Sequence, residues 1–360
     1  MESEFKEPTL EILAKIKKSK EGDHTELKNY LIENEMGHMY HALCNKHILP
    51  DEPEVYHPIL KKNEEVLRRI SEQQTEDDGK NIKKERLEYL AKIGDLSSFL
   101  EESSDVGLTT STKMDIVLCQ IRLGMIFKDY SLIHDKINVG LKLSEKDCDW
   151  DRKNKFKVYY AFYNLLKSNY EQAADLFASS LATFQCSELY SYETAVNYTI
   201  FCGLLSFSRV QLHERVLKST DVLEVKHHVN LAYDLAQSIY NCYYDKIFPC
   251  LIAFSSHFLD DIFIGDKIHF FINEIKIRSY NQLLESYSSI GLESMALTFG
   301  VSEEYLEADL GKFLVNERMK CVIDKVDKMV LVREVDETLY DRIGDKCEKI
   351  VNYIEREINK

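Results

Sequence analysis

The sequence contains little proline and glycine, with only five prolines and 13 glycines in 360 residues. Runs rich in β-branched residues are scarce before Lys320, so the composition favours an almost entirely helical body. No apolar run approaches the roughly 20 residues that a membrane-spanning helix needs. Residues 1–10 are acidic and lack an apolar h-region, so no signal peptide is expected. The nine cysteines form no C-x-x-C pair, which is typical of reduced, buried thiols in an intracellular protein.

Positive charge is also in short supply, since 46 Lys and Arg residues face 61 Asp and Glu residues, giving a net charge of -15 at pH 7. Contacts with phosphates require Lys and Arg, so this balance argues against a general nucleic-acid binder. It argues equally against docking on an anionic membrane surface. With 44% hydrophobic and 30% charged residues, the chain has the composition of a soluble globular protein with room for two domains.

Motifs of the common catalytic sites are missing. There is no H-E-x-x-H, no G-x-S-x-G and no Walker lysine. Gly311-Lys312 lacks the preceding glycine loop, and Phe313 stands where a hydroxyl residue is required. We therefore predict no catalytic residue and no cofactor-binding residue. An enzyme whose site leaves no sequence motif stays open as an alternative.

One cluster has the residue types of a metal site, because His38, His41, Cys44 and His47 recur every three residues. Each three-residue step turns a helix by about 300°, so His38 and His47 point to opposite sides of one helix. We therefore predict no metal site. A break in the helix near Asn45 would still allow a site with three ligands.

The first third of the chain predicts helical hairpins separated by polar breaks. Pro50, Pro53 and Pro58 are expected to interrupt the helical pattern. The expected helices cover residues 10–18, 25–45 and 61–72.

A loose internal repeat begins near residue 86, in which an apolar helix, a small polar turn and an amphipathic helix follow one another. The polar turns are Gly94-Asp95, Lys128-Asp129 and Ser168-Asn169. If Leu96, Tyr130 and Tyr170 are equivalent, the spacings are 34 and 40 residues, as in tetratricopeptide-like (TPR-like) helix pairs. Such pairs cannot bury their apolar faces alone and stack into a solenoid.

Further helices are expected between residues 188 and 259, where aromatic residues are dense. Their simplest role is packing between helix layers, and a ligand groove is the alternative. These aromatic residues include Tyr190, Tyr192, Tyr198, Phe201, Tyr233, Tyr240, Tyr243 and Tyr244.

The segment from Ile277 to Arg333 has a different order of elements. Gly291 and Gly300 are expected to end two helices, because glycine accepts the left-handed conformation of a helix C-terminus. Ser302 is a good N-cap for a third helix. The three predicted helices cover residues 277–290, 292–299 and 303–317.

Two strands rich in β-branched residues follow the third helix, over residues 320–326 and 329–333, and Asp327-Lys328 joins them. Three helices followed by a hairpin form a winged helix. The third helix, which would enter a DNA groove, carries five carboxylates against one lysine, so phosphates would be repelled. We therefore expect this module to bind protein.

Apolar residues alternate on both faces of the two predicted strands. Cys321 and Ile323 share one face, and Val322 and Val326 share the other. More than the module's own helices is therefore expected to cover the sheet, and an exposed edge strand can pair with a neighbouring subunit.

A last helix is expected from about Glu337 to Ile358. An apolar stripe at helical spacing either folds back on its own domain or pairs with the helices of a partner. The residues of this stripe are Leu339, Ile343, Cys347, Ile350, Ile354 and Ile358.

Helical repeats that run directly into a winged helix resemble the PCI domain of large multisubunit complexes. Several segments resemble, in the same order, the non-ATPase subunit seven family of the proteasome regulatory particle. The subunits of the COP9 signalosome and of translation-initiation complexes that carry this domain are the alternative. The segments are EYLAKIGD (88–95), MDIVLCQIRLGM (114–125), CDWDRKNKFKVY (148–159), YEQAADLFASSLATFQCSELYSYET (170–194), LLESYSSIGLESMALTFGVS (283–302) and CVIDKV (321–326).

The resemblance implies a mainly α chain: a TPR-like right-handed helical solenoid, a winged helix (PCI domain) and a C-terminal helix. It also implies a non-catalytic subunit of the lid, present in cytoplasm and nucleus, in a hetero-oligomer that takes part in ubiquitin-dependent protein degradation. Its implied partners are other PCI and metalloprotease-fold lid subunits, the ATPase ring and the core particle, without nucleic acid or membrane. The expected domains cover residues 1–80, 81–265, 266–335 and 336–360.

The resemblance places assembly contacts on the winged-helix sheet and on the last helix, which would join a common helical bundle. Near the sheet interface we expect Ile323, Val326, Val330 and Val332. In the bundle we expect Leu339, Ile343, Ile350, Ile354 and Ile358.

Overall fold

The computed structural model describes residues 5–20, 22–72, 79–103, 109–145, 148–332 and 347. The chain divides into two compact units. Unit 1 contains Met1–Tyr240 and Ala253–His269, and unit 2 contains Asn241–Ile252 and Phe270–Lys360. The predicted last helix lies outside the described residues, except for the exposed Cys347.

Unit 1 begins with ten helices, most of which pack against their neighbours in the chain. Of the three prolines expected to interrupt the helical pattern, Pro50 lies in the connection between α3 and α4, as predicted. Pro53 is instead the first residue of α4, where proline is tolerated because the amide there has no helical acceptor. Pro58 lies inside α4, in its second turn, and does not end the helix. The helices are α1 (Glu11–Lys20), α2 (Thr25–Glu33), α3 (Gly37–Asn45), α4 (Pro53–Glu72), α5 (Gly79–Ile93), α6 (Leu96–Ser103), α7 (Thr110–Phe127), α8 (Tyr130–Ser144), α9 (Trp150–Leu166) and α10 (Tyr170–Ser180).

The predicted helix pairs are confirmed as α5–α6, α7–α8 and α9–α10, and their second helices begin at Leu96, Tyr130 and Tyr170. Each turn contains one residue with a left-handed backbone, with φ of 74°, 56° and 61° at positions 94, 128 and 168. The following amide donates to the carbonyl five residues earlier, at 2.9–3.2 Å. This hydrogen bond closes the first helix and lets the second one reverse direction.

Further helices of unit 1 surround an aromatic core. Tyr190, Tyr198, Phe201 and Tyr233 are all buried, which confirms the predicted packing role for these four. The helices are α11 (Tyr192–Ser206), α12 (Arg209–Leu212), which continues into a π-helical turn over His213–Leu217, α13 (Thr220–Glu224) and α14 (Asn230–Tyr240).

Two further helices each have residues in both units, and the remaining elements belong to unit 2. The predicted order of a winged helix is confirmed there, and among the described residues it includes one strand that was not predicted. The elements are α15 (Tyr244–Phe258), α16 (Ile268–Leu284), β1 (Ser289–Gly291), α17 (Leu292–Phe299), α18 (Glu303–Val315), β2 (Cys321–Asp324) and β3 (Met329–Val332).

The prediction that Gly291 ends a helix is wrong. Helix α16 ends at Leu284, and residues 289–291 form β1 instead. Gly291 has φ of -64°, in the extended region, and stands before α17 as its N-cap. Glycine is found at both ends of helices, so its presence alone did not show which end it marks.

The predicted end of α17 and the predicted start of α18 are correct, whereas α18 ends at Val315, two residues earlier than predicted. Gly300 closes α17 with φ of 67°. The Ser302 side chain accepts a hydrogen bond from the amide of Tyr305 and caps α18. These two residues turn the chain so that α18 can pack on the same core as α17.

The three strands form one antiparallel sheet in the order β1-β3-β2. Ile290, Val330 and Ile323 stand side by side across it, as do Ser289, Leu331 and Val322. Because successive side chains point to opposite faces, the first row lies on one face and the second row on the other.

The fold predicts opposite effects for two glycine substitutions inside helices. A Cβ on Gly140 would lie 2.2 Å from the Phe156 ring, whereas a Cβ on Gly311 would meet no atom within 4 Å. We expect Gly140→Ala to lower the free energy of unfolding by about 1–3 kcal/mol. Gly311→Ala should raise it by up to about 1 kcal/mol, because alanine favours the helix. Urea denaturation followed by circular dichroism measures both, and stabilisation by Gly140→Ala would contradict the packing described here.

Candidate interaction surface

The winged-helix module of unit 2 has a hydrophobic core that fixes one face of its sheet. The core includes α16, α17 and α18, together with Phe248 from α15. Val330 is 0% exposed at its centre. The sheet residues that face this core are Ile290, Cys321, Ile323, Val330 and Val332.

The other face of the sheet carries apolar side chains that the described core does not contact. Leu331 in the central strand is 40% exposed. Its neighbours in the register are Val322 on β2 and Ser289 on β1, and both are partly exposed. Met329, two residues before Leu331 and on the same face, is also partly exposed. We call Val322, Met329 and Leu331 the outer row.

The predicted interface residues of the sheet lie in different environments. Val330 is enclosed by the module's own core, and Ile323 and Val332 pack against that core. Val330 thus points into the module and not toward a partner, and the assignment of these residues to an interface stays a prediction. The alternating pattern showed which residues share a face, but not which face points inward. The outer row was missed for this reason, although the same pattern contained it.

Val326 is 91% exposed, but it lies in a turn rather than on a strand. Residues 325–328 form this turn, which is longer than the predicted two-residue connection. The Asp324 carboxylate accepts hydrogen bonds from the amides of Val326 and Asp327, at 2.9 and 3.2 Å. Asp324 therefore ends β2 two residues earlier than predicted. Val326 remains available to a partner at the tip of the hairpin.

The other predicted interface residues, Leu339, Ile343, Ile350, Ile354 and Ile358, lie outside the described residues. Their role in a helical bundle stays a prediction.

A buried ion pair connects α16 and α18. Lys276 Nζ lies 3.0 Å from Asp309 Oδ2 and donates to the Tyr305 hydroxyl at 2.6 Å. The Tyr280 hydroxyl, on α16, donates to the same carboxylate at 3.0 Å. Since Asp309 is 5% exposed, these two donors replace the water that its charge would need. The cluster thus fixes the orientation of α18 relative to α16.

The same cluster changes how its members ionise. Burial alone would lower the pKa of Lys276, but its hydrogen bonds to Tyr305 and Asp309 and the charge of Asp309 raise that pKa overall. Burial, together with the Asp309 carboxylate, raises the pKa of Tyr280. At neutral pH Lys276 is therefore charged and Tyr280 is neutral, so the pair and its hydrogen bonds are fully formed.

The acidic face of α18 pairs with the lysines of the hairpin. Lys328 Nζ lies 2.7 Å from Glu303, and Lys325 Nζ lies 2.8 Å from Glu307. These hydrogen bonds raise the pKa of both lysines. The groove between helix and hairpin, of about 620 Å³, also contains Glu304. A phosphate would have to compete with these carboxylates for the lysines, which disfavours nucleic acid in this groove.

Exposed apolar residues are concentrated in unit 2. Sixteen large hydrophobic side chains are exposed among the described residues, and nine of them belong to unit 2. Unit 2 contains fewer than half of all the residues that the structure describes. Single exposed apolar residues are ordinary, so it is their enrichment in one unit that distinguishes unit 2. The nine are Tyr243, Ile252, Phe270, Tyr287, Leu297, Tyr305, Val315, Val326 and Leu331.

The histidines and the cysteine in and near α3 contact different residues rather than one shared point. His38 Nδ1 lies 3.6 Å from Asp95, and the His41 ring lies 5.4 Å from the Tyr56 ring. Cys44 donates to the Pro50 carbonyl at 3.4 Å. Within the part of the chain that the structure describes, no group of three or more His, Cys, Asp or Glu residues is placed to hold a metal ion.

Comparison with known proteins gives two family matches. Residues 59–215 match the model of the 26S proteasome subunit RPN7, and residues 241–334 match the PCI domain. The second match covers the winged-helix module and its outer row.

Curated relatives match most of the chain. It is 33% identical over 274 residues to the 26S proteasome non-ATPase regulatory subunit 6 of Dictyostelium discoideum, covering 75% of this chain and 72% of that protein. It is 32% identical over 346 residues to the 26S proteasome regulatory subunit RPN7 of Saccharomyces cerevisiae, covering 90% and 80%. Subunit 2 of the COP9 signalosome complex of Schizosaccharomyces pombe matches only 28% of this chain, at 24% identity, and 23% of that protein.

The buried pair predicts a large effect from one carboxylate of α18 and a small effect from another. Asp309→Ala leaves Lys276 buried without its counter-charge, so we expect a loss of about 3–5 kcal/mol in the free energy of unfolding of this module. Glu304→Ala, on the exposed side of the same helix, should change that free energy by less than about 0.5 kcal/mol. Chemical denaturation of both variants checks this. Equal effects would show that the pair does not stabilise the module.

Proposed function

Because this chain belongs to the RPN7 family of 26S proteasome regulatory subunits, we propose that it serves as a non-catalytic scaffold of the regulatory particle's lid. The family resemblance inferred from the sequence is confirmed by relatives at 32–33% identity. The proposed role lies in the assembly that carries out ubiquitin-dependent protein degradation. The chain would contribute contact surfaces to this assembly and no reacting group.

The outer row of the winged-helix sheet is the observation that carries this proposal. Val322, Met329 and Leu331 present an apolar strip on the face that points away from the core. Strand β2 lies at one edge of the three-stranded sheet. A neighbouring subunit could therefore pack on the apolar strip, pair its backbone with the edge strand, or do both. The hairpin residue Val326 is exposed as well.

The proposed partners are other PCI and metalloprotease-fold subunits of the lid, the ATPase ring and the core particle, in a hetero-oligomer. The proposed location is the cytoplasm and the nucleus. Within the described ranges, every helix is too short or too polar to cross a bilayer.

Two other functions have weaker support. Membership in the COP9 signalosome would rest on a match to about a quarter of the chain, against 90% for the yeast proteasome subunit. Nucleic-acid binding is disfavoured by the ion pairs of Lys325 and Lys328 with Glu307 and Glu303.

A substitution in the outer row tests the sheet surface. We expect Leu331→Glu to reduce recovery of the chain in the purified regulatory particle by at least about tenfold, because a charge would be buried without a partner at the interface. The measurement is quantitative mass spectrometry of particles isolated through a tag on another subunit. Val210→Glu, at a site 65% exposed in unit 1, is the matched control and should be incorporated normally. Normal recovery of folded Leu331→Glu would refute the sheet as an assembly surface.

A truncation tests the predicted last helix separately. We expect a chain lacking residues 337–360 to keep the helical content and melting of unit 1 but to fail to enter the lid, since the apolar stripe would supply a bundle contact. Circular dichroism and the same mass spectrometry measure the two properties. Glu355→Ala, on the polar side of the predicted helix, is the control. Incorporation of the truncated chain at the level of the intact one would contradict the bundle role.

A further inference from the structure

Residues 5–10, which we call the strap, lie in a groove of unit 1 as an irregular segment before α1. Phe5 and Leu10 are 7% and 2% exposed, and Pro8 between them is also buried. The Phe5 ring packs near Phe99 of α6, with 6.4 Å between ring centroids. Two apolar residues five positions apart thus anchor the strap.

The groove recognises the strap through its backbone. Arg122 of α7 is 1% exposed, and its guanidinium donates to the carbonyls of Phe5 and, at 3.0 Å, of Lys6. At the other end, the Leu10 amide donates to the Glu188 carbonyl at 3.0 Å. Groups that bind main-chain atoms place little demand on the sequence of the segment they hold, which is how proteins hold extended peptides.

The groove is built from polar residues that are fixed by one another. Tyr159 donates to the Glu188 carboxylate at 3.2 Å, and Lys155 lies 3.9 Å from the same carboxylate. Arg152 pairs with the buried Asp115 at 2.8 Å. These polar side chains of the groove therefore have hydrogen-bond or ion-pair partners within the groove itself. Arg122 is the exception, because its guanidinium donates to carbonyls of the strap.

The groove continues beside the strap. An open cleft of about 670 Å³ is bordered by Lys6 of the strap and by Arg152, Phe184 and Tyr192. A peptide longer than the strap could therefore extend along the same surface, with aromatic and charged side chains available to it.

The strap fits this groove imperfectly. Glu7 Oε2 and Arg122 Nε are both buried with no hydrogen-bond partner, and Phe5 has a left-handed backbone with φ of 36°. Buried polar atoms without partners and left-handed non-glycine residues both cost free energy. We therefore expect the strap to be among the less stable parts of the fold, which open locally without unfolding of the rest.

We propose that this groove is a peptide-docking site that the strap occupies in cis, and that an extended segment of a partner chain can replace it. The partner segment would carry an aromatic side chain for the Phe5 position and an apolar one five residues later. It would also present two consecutive carbonyls to Arg122. This inference concerns unit 1 and does not depend on the proposed role of the sheet.

The test uses the full chain and a fluorescein-labelled peptide of residues 1–12. In the Phe5→Ala chain the strap loses its aromatic anchor, so the peptide should bind at least about tenfold more tightly than it binds the unaltered chain, where the strap competes. Fluorescence anisotropy measures both affinities. Adding Arg122→Lys should weaken binding at least about tenfold, because lysine lacks the planar fork that reaches two carbonyls.

The control is the same peptide with Phe5→Ala, which should bind weakly to every chain. Circular dichroism establishes that each variant is folded. The proposal is overturned if folded Phe5→Ala chain binds the peptide no more tightly than the unaltered chain, or if the control peptide binds equally well.

Hydrogen exchange on the unaltered chain gives a second test that needs no variant. We expect the Leu10 amide to exchange through a local opening whose rate depends less on urea than the exchange of core amides in α7 and α9. If the Leu10 amide exchanges only with unfolding of all of unit 1, the strap is a permanent part of the fold and cannot be replaced.

Discussion

The backbone hydrogen bond that closes a helix at a left-handed residue is the contact on which both units depend. It recurs at Gly94, Lys128 and Ser168 in unit 1 and at Gly300 in unit 2, each time from the next amide to the carbonyl five residues back. It provides a donor for a carbonyl of the last helical turn, where the helix itself offers too few amides. Because only two or three residues separate the two helices at each of these turns, successive helices pack against each other.

In unit 2 this turn leads to a small sheet that has more apolar surface than its own helices cover. Three helices bury one face, with Val330 at the centre. The other face displays the outer row beside an edge strand. Within the module, Asp309 pairs with Lys276, and the hairpin lysines pair with carboxylates of α18. A surface of this kind favours protein partners over phosphates, which agrees with the family to which the chain belongs.

Much of this architecture could be predicted from the sequence, and the errors have identifiable causes. The repeats were visible because Asp and Asn follow each left-handed turn, and Asp129 caps its helix by accepting from the Leu132 amide. Gly291 was misassigned because glycine suits either end of a helix. Pro58 lies inside α4, although proline in a helix interior usually predicts a break. The alternation of apolar residues did not show that Val330 points inward, because it separates the two faces of the sheet without identifying the buried one.

The sequence by itself determined the helical class, the helix pairs, the winged-helix order and the family, since all of these follow from local periodicity, turn chemistry and characteristic segments. Only the tertiary structure decided which side of the sheet is covered, that Asp309 of α18 would meet Lys276 of α16, and that the carbonyls of the strap would meet Arg122. These contacts join residues between 33 and 117 positions apart. No local pattern encodes such distances, because they are set by how whole elements pack.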